Sequence, residues 1–574
     1  MERKVYEFMS KQNNDPIVEW KTCKISGEPF AVFQSDLDFY DKVSPVFDGK
    51  KFQFPVPDIR PEERQRVKLA HVNQINLFKT KCNVTGDAII SNHMPTTKYR
   101  IVSQKYFWWD TCDNVIFWRE YNDARSFFEQ RHELDMQAYQ PALFSDYTKD
   151  INSAYTNYAG MNKDCYMAFD SDQNDNCYYS YGVNHSKYTV DCYRSGELEY
   201  CYEAIDSREC YKCAYIQNCK SCFDSYFLRN CENCKNCIMC SNLINKQYYI
   251  ANKQVTPEAF EAYKKNITSN TQNIQLQKDF DAYIRTFPQR YMIGVQNENV
   301  SGNFLVNCKN VHFSYDSMNT RDAKYVTQVF IESKNSMDCD ECWQCEVTYQ
   351  SSNVGYNAYR IFFSYQCLND LQNLYYCKNC FFCKNCFACI GLKHKEYCIF
   401  NKQYTQADYE KEVARIISRM EETGERGNYY PAQYANFPYN QTMAQEYYPL
   451  TKDEALKQWY QWSEDEKQYI NKTYAISDAI DAVEETITKE VLTCESTGRN
   501  YIITPQELSF YKKIGVPVPR SCFWARHMKR LHKRPARVLN LRTCDNCWRE
   551  IVSIYPQNGD FKVYCEVCYN KEVY

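Results

Sequence analysis

Glycine and histidine are scarce: the chain has 15 Gly and 8 His in 574 residues. No glycine-rich phosphate loop occurs, no Gly-x-Ser-x-Gly is present, and His132-Glu133 lacks the second histidine of a zinc-protease helix. The usual materials of nucleotide, hydrolase and metalloprotease chemistry are therefore missing, and the chain reads as a non-enzyme. No run of 18 apolar residues appears, so no membrane span is expected. The opening MERKVYEFMSKQNNDPIVEW has no apolar signal core, which points to the cytoplasm. Net charge is only −3 and names no partner. In a reducing compartment the 32 cysteines are expected as thiols or metal ligands, not disulfides.

Cysteine is abundant, and it falls on a fixed beat. Cys165, Cys177, Cys192, Cys201, Cys210, Cys213, Cys219, Cys222, Cys231, Cys234, Cys237 and Cys240 all lie on multiples of three. Every third position from 165 to 243 is neither charged nor aromatic, while Tyr, Lys, Arg, Asp and Glu fill the positions between. A period of three is neither the 3.6 of a helix nor the 2 of an ordinary strand. A polyproline II bundle would need Gly at its axis, and Gly182 and Gly196 are the only ones here. The expected fold is mainly β: a narrow, Cys-lined β-solenoid whose short sides each turn one small residue inward. Cys192, Cys201, Cys210 and Cys219 step by nine, as do Cys213, Cys222, Cys231 and Cys240. Coils of nine, twelve or fifteen residues all remain open, since each stacks some Cys on Cys.

A second array follows. Aligning 231–267 with 380–416 gives sixteen identities in 37 positions, among them Asn252-Lys-Gln254 with Asn401-Lys-Gln403. Cys339, Cys342 and Cys345 share one phase, Cys377 to Cys398 another, and Cys367 fits neither, so a bulge or insertion is expected. Thr256 with Pro257, and Thr405, read as helix N-caps closing the two arrays. The expected order is a degenerate zinc-ribbon-like module at 1–106 and an aromatic cap over the solenoid's open end at 107–164. The first array covers 165–255, a helix and connector 256–307, and the second array 308–404. A helical, Tyr-rich linker spans 405–485, with Asp453–Lys472 read as helix, and a basic zinc-ribbon module closes the chain at 486–574.

Cys544-x2-Cys547 and Cys565-x2-Cys568 have the spacing of a four-thiolate zinc site, and zinc is the expected cofactor. Two strands around Asn558-Gly559 would carry it. The terminal modules echo one another. Cys23-Lys-Ile-Ser-Gly27 matches Cys494-Glu-Ser-Thr-Gly498, and Cys82-Asn-Val-Thr-Gly86 matches the Cys544 knuckle, yet the ligand positions of the earlier copy hold Cys82, Thr85, Ser103 and Tyr106. Cys494 and Cys522 could share a metal with His527 or His532, or stand as isolated buried thiols. These modules, with Ile89-Ile-Ser91, Ile551-Val-Ser553 and Asn401-Lys-Gln-Tyr404, resemble an uncharacterised bacterial family of Cys-rich repeat proteins with zinc-ribbon-like terminal modules. The resemblance implies the architecture and carries over no catalytic residue.

Residues 511–543 hold ten Lys/Arg and no acid. Arg520, Arg526, Lys529, Arg530, Lys533, Arg534 and Arg537 form the charge footprint of a phosphate contact, which makes RNA, DNA or a ribonucleoprotein one expected partner. The alternative is a helix face paired with acids such as Asp478, Asp481, Glu484 and Glu485, leaving a protein partner. Three functions follow from different classes: a scaffold or binding protein, a thiol-rich metal buffer or redox sensor, and an enzyme with a site in a solenoid groove. The missing motifs disfavour the last.

Overall fold

The structure is a computed structural model that describes residues 1–464, 469–470 and 474–574. It is mainly β, with many short strands joined by short helices. From Asp164 to Asn245 every third residue has a left-handed backbone, without a gap. Such corners are costly for most side chains and mildest for Gly, Asn and Asp. Asn and Asp recur at them accordingly, and none of these corners is Val, Ile or Thr. From Asp164 to Asn242 the residue after each corner is turned inward. Four corners complete a layer of twelve residues, and the next layer pairs with it in parallel: Asp175 with Lys187, Tyr202 with Ala214, Tyr226 with Ile238. Twelve is thus the repeat that the sequence left open.

The interior takes four small side chains per layer. Cys201, Cys213, Cys222, Ala204, Ile216 and Leu228 are all buried there. Each thiol donates toward carbonyls. Cys192 reaches the oxygen of Cys201 at 3.6 Å, Cys201 that of Cys210 at 3.4 Å, and Cys213 that of Cys222 at 3.5 Å. The nine-residue step is therefore a thiol-to-carbonyl contact between neighbouring layers. Outside, residues twelve apart stack. Tyr188 and Tyr200 lie 4.8 Å apart and 2° from parallel, and Tyr215 and Phe227 lie 4.7 Å apart. Asn218 donates to Asn230 and Asn230 to Asn242, a side-chain ladder along the stack.

The second stack runs from Gly294 to Gln403 with the same parallel pairing but an uneven beat. Two consecutive left-handed residues occur at Ile331-Glu332, Tyr356-Asn357 and Asn369-Asp370. Each pair inserts one residue, so Thr320 pairs with Ser333 and Cys345 with Ala358, thirteen residues on. The insertions reset the phase between Cys308, the Cys339 group, Cys367 and the Cys377 group, and Cys367 is fully buried like the rest. Five strands of this stack, Lys309–Met318, Thr320–Lys324, Thr327–Phe330, Ser333–Met337 and Asp340–Tyr349, also close a ring through parallel pairs.

Both stacks end alike. Asn252 takes the place of a strand residue: its Oδ1 accepts from the Ser241 amide at 3.0 Å and its Nδ2 donates to the Ser241 carbonyl at 2.8 Å. Asn401 does the same with Ile390 at 2.8 and 3.0 Å. The chain then folds back antiparallel and enters the helices Pro257–Lys264 and Gln406–Glu422, capped by Thr256 and Thr405 as expected.

Other expectations are corrected. Layering begins before 165, with Ile151 bridged to Lys163 and Thr156–Asn157 paired with Ala168–Phe169. The aromatic segment does more than cap the first stack, whose first layer it meets where Ser145–Asp146 pairs with Ala159–Gly160. Trp108 packs on Phe381 at 4.6 Å, and Asn114 donates to the Gly391 carbonyl, so the segment flanks the end of the second. Gly391 permits this approach, because a Cβ there would lie 2.1 Å from Asn114 Nδ2. The connector contains an unforeseen helix, Asn270–Ile284. Among the described residues the expected Asp453–Lys472 helix covers only Lys452–Lys457, with Trp459 left-handed and exposed beyond it. Residues 465–468 and 471–472 of that expectation lie outside the described residues.

Replacing Cys213 by Ala leaves a small void, and a loss of about 1 kcal/mol is expected in denaturant unfolding. Cys213→Lys puts an unpaired charge in a dry interior and should abolish the folded state. Equal stability of the two variants would contradict an inward Cys213.

Candidate metal centre

Four short hairpins share one local geometry, at Cys23, Cys82, Cys494 and Cys544. In each, the cysteine amide donates to the carbonyl five residues on, at 2.9, 2.9, 2.8 and 2.8 Å. The residue four on donates back to the cysteine carbonyl and is left-handed: Gly27, Gly86, Gly498 and Trp548. A second segment crosses each hairpin, with Lys24 bonded to Asp58, Asn83 to Ile101, Glu495 to Arg520 and Asp545 to Val563. Each crossing segment then enters a helix: Pro61–Leu69, Gln104–Phe107, Phe523–His532 and Glu566–Val573. The two terminal modules are therefore two tandem pairs of one unit.

Only the last unit has a complete ligand set. The sulfurs of Cys544, Cys547, Cys565 and Cys568 all lie within 4.8 Å of one another. Cys547 and Cys565 Sγ are 3.8 Å apart, and a zinc tetrahedron with arms of about 2.3 Å has edges of about 3.8 Å. Burial opposes ionisation of Cys544, but the backbone amides of Cys565, Cys547 and Asn546 outweigh it and hold this thiol down to about 7. Arg542 is buried beneath the knuckle and pairs with Asp545 at 2.8 Å, which in turn accepts from the Val563 amide at 2.6 Å. The residues fit zinc. Four thiolates leave no open position, so the ion would stabilise the fold and not react.

The unit is not the expected ribbon. Its hairpin is Asn540–Thr543 with Glu550–Ser553, the knuckle lying between the two strands. Val563–Tyr564 pairs in parallel with Gln289–Arg290 instead of across Asn558-Gly559, and Cys565 caps the last helix. In the earlier copy Cys82 keeps the cradle, accepting from the amides of Thr85 at 3.5 Å and Ser103 at 3.4 Å. Ser103 now caps a helix by accepting from the Tyr106 amide. Cys494 and Cys522 hold the first and third positions of their unit, where Thr497 touches the Cys522 sulfur at 3.6 Å. His527 is no ligand to them, since it faces away and pairs with Glu446 at 3.0 Å. No family model matches the chain, and no curated protein matches it.

The basic segment lies largely inside the protein. Arg530 is fully buried, 2.8 Å from Asp191 and 3.2 Å from Glu203. Arg526 pairs with Asp191 at 2.8 Å, Arg534 with Asp206 at 3.0 Å and Asp316 at 2.5 Å, and Arg537 with Asp316 at 2.9 Å. Lys533 stands 4.0 Å from Glu203, Lys529 donates to Gln277, and Arg520 is 3.7 Å from Glu495. Arg526, Arg530, Arg534 and Arg537 are thus enclosed by carboxylates and cannot reach a phosphate. The acids are not those suggested by the sequence, and Asp478 instead binds Ser269 and Thr271 at the start of the Asn270–Ile284 helix. Asp191, Glu203, Asp206 and Asp316 all stand at left-handed corners. Their signal in the sequence is an acid just before an inward position.

Arg530→Met should cost about 3–5 kcal/mol, because Asp191 and Glu203 lose their guanidinium. Lys529→Met should stay within about 0.5 kcal/mol. Urea unfolding distinguishes them, and equal effects would contradict the buried pairing.

A further junction joins the two stacks. Glu341 accepts from Gln74 at 2.7 Å, from Gln328 at 3.1 Å and from Asn353, while Asp170 across the junction pairs with Arg194 at 3.3 Å. Burial and the Asp170 carboxylate push Glu341 up to about 7, against Arg194, and burial pushes Asp170 up to about 6. Folded values above the unfolded ones mean stability present at about pH 4.5 and lost as pH rises through 7. Asp170→Asn removes one ionisation, so its melting temperature relative to wild type should rise steadily from pH 5 to pH 8. A flat or falling difference would contradict the coupling.

Proposed function

We propose that this protein is a non-enzymatic cytoplasmic scaffold, built from two Cys-lined β-solenoids and held by terminal knuckle units, one of which carries a structural zinc. The observation that carries this reading is the internal use of the two features the sequence offered for chemistry, the basic segment and the array thiols. The basic helix is locked onto acid corners, and the array thiols donate to backbone carbonyls. Scaffold surfaces are left to the outward columns of the stacks, whose exposed Tyr188, Tyr211 and Phe223 favour a protein partner over nucleic acid.

A metal buffer would need thiolates grouped for coordination. Among the described residues only the Cys544 group has that geometry. Ionisation alone does not decide against the buffer: burial raises Cys192 and Cys339 above the usual thiol range, whereas at Cys219 burial is outweighed by hydrogen bonds from Cys222 and Cys231, which hold it down to about 6.

About one zinc per purified chain is expected, and several would favour the buffer. On chelation, residues 540–570 should lose hydrogen-exchange protection, and so should Gln289–Arg290, which pairs with Val563–Tyr564. Residues 80–106 should keep theirs. Loss of protection in both modules together would reject a metal role confined to the last unit.

A further inference from the structure

Between the outward face of the first stack, the helix Asn270–Ile284 and the C-terminal units lies a cavity of about 220 Å³. Tyr215, Phe227, Phe280 and Phe561 form much of its wall. Arg229 sits in the same wall, stacked in register on Gln217, and is only 6% exposed. Its guanidinium has no carboxylate or hydrogen-bond acceptor among the described residues, and its Nε is buried without a partner. The ring of Phe561, 5.2 Å away, is the contact it does make. The arginines of the neighbouring basic helix, by contrast, all face acids. A largely buried guanidinium whose Nε lacks an acceptor leaves donors that suit an anion.

The remaining charges decide which anion. Glu203 is matched by Arg530 at 3.2 Å and Lys533 at 4.0 Å, and Arg285 by Asp560 at 3.1 Å. Asp281 and His532 lie at the exposed rim. One positive charge is left at depth, while Glu203 and Asp281 would repel a second negative one. We propose that this cavity binds a small aromatic monocarboxylate, its two oxygens on the Arg229 fork and its ring against Tyr215, Phe280 and Phe561. A guanidinium is suited to two parallel bonds to one carboxylate. The volume equals that of about seven waters, enough for one ring and its acid group. The proposal is independent of the scaffold reading, since it concerns a cavity that the scaffold does not require.

The test titrates the full chain with benzoate, with benzyl alcohol of the same shape but no charge, and with inorganic phosphate, by calorimetry and thermal shift. Expected are saturable benzoate binding, binding about tenfold weaker or worse in Arg229→Met, partial retention in Arg229→Lys, and no binding of benzyl alcohol. Without benzoate, Arg229→Met should melt no lower than wild type, because it removes an unpaired charge. The proposal is overturned if benzoate does not saturate wild type, if Arg229→Met binds it equally, or if phosphate binds more tightly. It is also overturned if both variants melt well below wild type, which would show a structural partner for Arg229.

Discussion

With three residues to a side and four sides to a layer, each stack encloses room for four side chains per layer, none of them large or charged. Everything else follows from that confinement. Cysteine suits the position because it is small and apolar yet carries a weak donor, and carbonyls of the adjoining layer stand within its reach. The corners between sides must be left-handed, so the chain accepts a conformational cost at every third residue and recovers it through an unbroken parallel ladder. Few of the corners are glycine; Gly182 and Gly391 are two that are, while Gly27, Gly86 and Gly498 serve the knuckles.

The corners also explain how the remaining domains attach. A side chain at a left-handed position projects sideways from the stack, where it can meet an incoming element. Asp191, Asp206 and Asp316 receive the basic helix and the segment after it, Asp338 receives Arg64, and Asp224 receives Lys264. The Asp316 carboxyl lies well below the usual range: burial resists its ionisation, and Arg534 and Arg537 overcome it. Such pairs add little net stability over apolar packing, but they penalise any docking that leaves a charge alone. They set the register of helix against stack.

The inward phase, the duplication, the caps at Thr256 and Thr405 and the Cys544 ligand set were all legible in the sequence, because each rests on residue type at fixed spacing. The layer length was not, since cysteines alone stack at nine, twelve or fifteen. Like residues twelve apart on the outside carry the missing information, in Asn218, Asn230 and Asn242 and in Tyr188 and Tyr200. The fate of Arg526 and Arg530 was also hidden. A ten-to-zero run of charge looks the same whether it meets phosphate or a row of acids 300 residues away, and only the fold brings Asp191 and Glu203 to it. Arg229 gave no signal at all, because its isolation is a property of the cavity around it.

The amides of Asn252 and Asn401 have a consequence for the crowded cell. An open end of a layered ladder is a template on which any extended chain, including a second copy, can continue growing. By satisfying the last layer from a side chain and turning the backbone back on itself, each asparagine stops propagation one step short of a fibre. A sequence that in principle could repeat without limit is thereby kept to a fixed number of floors, with a roof.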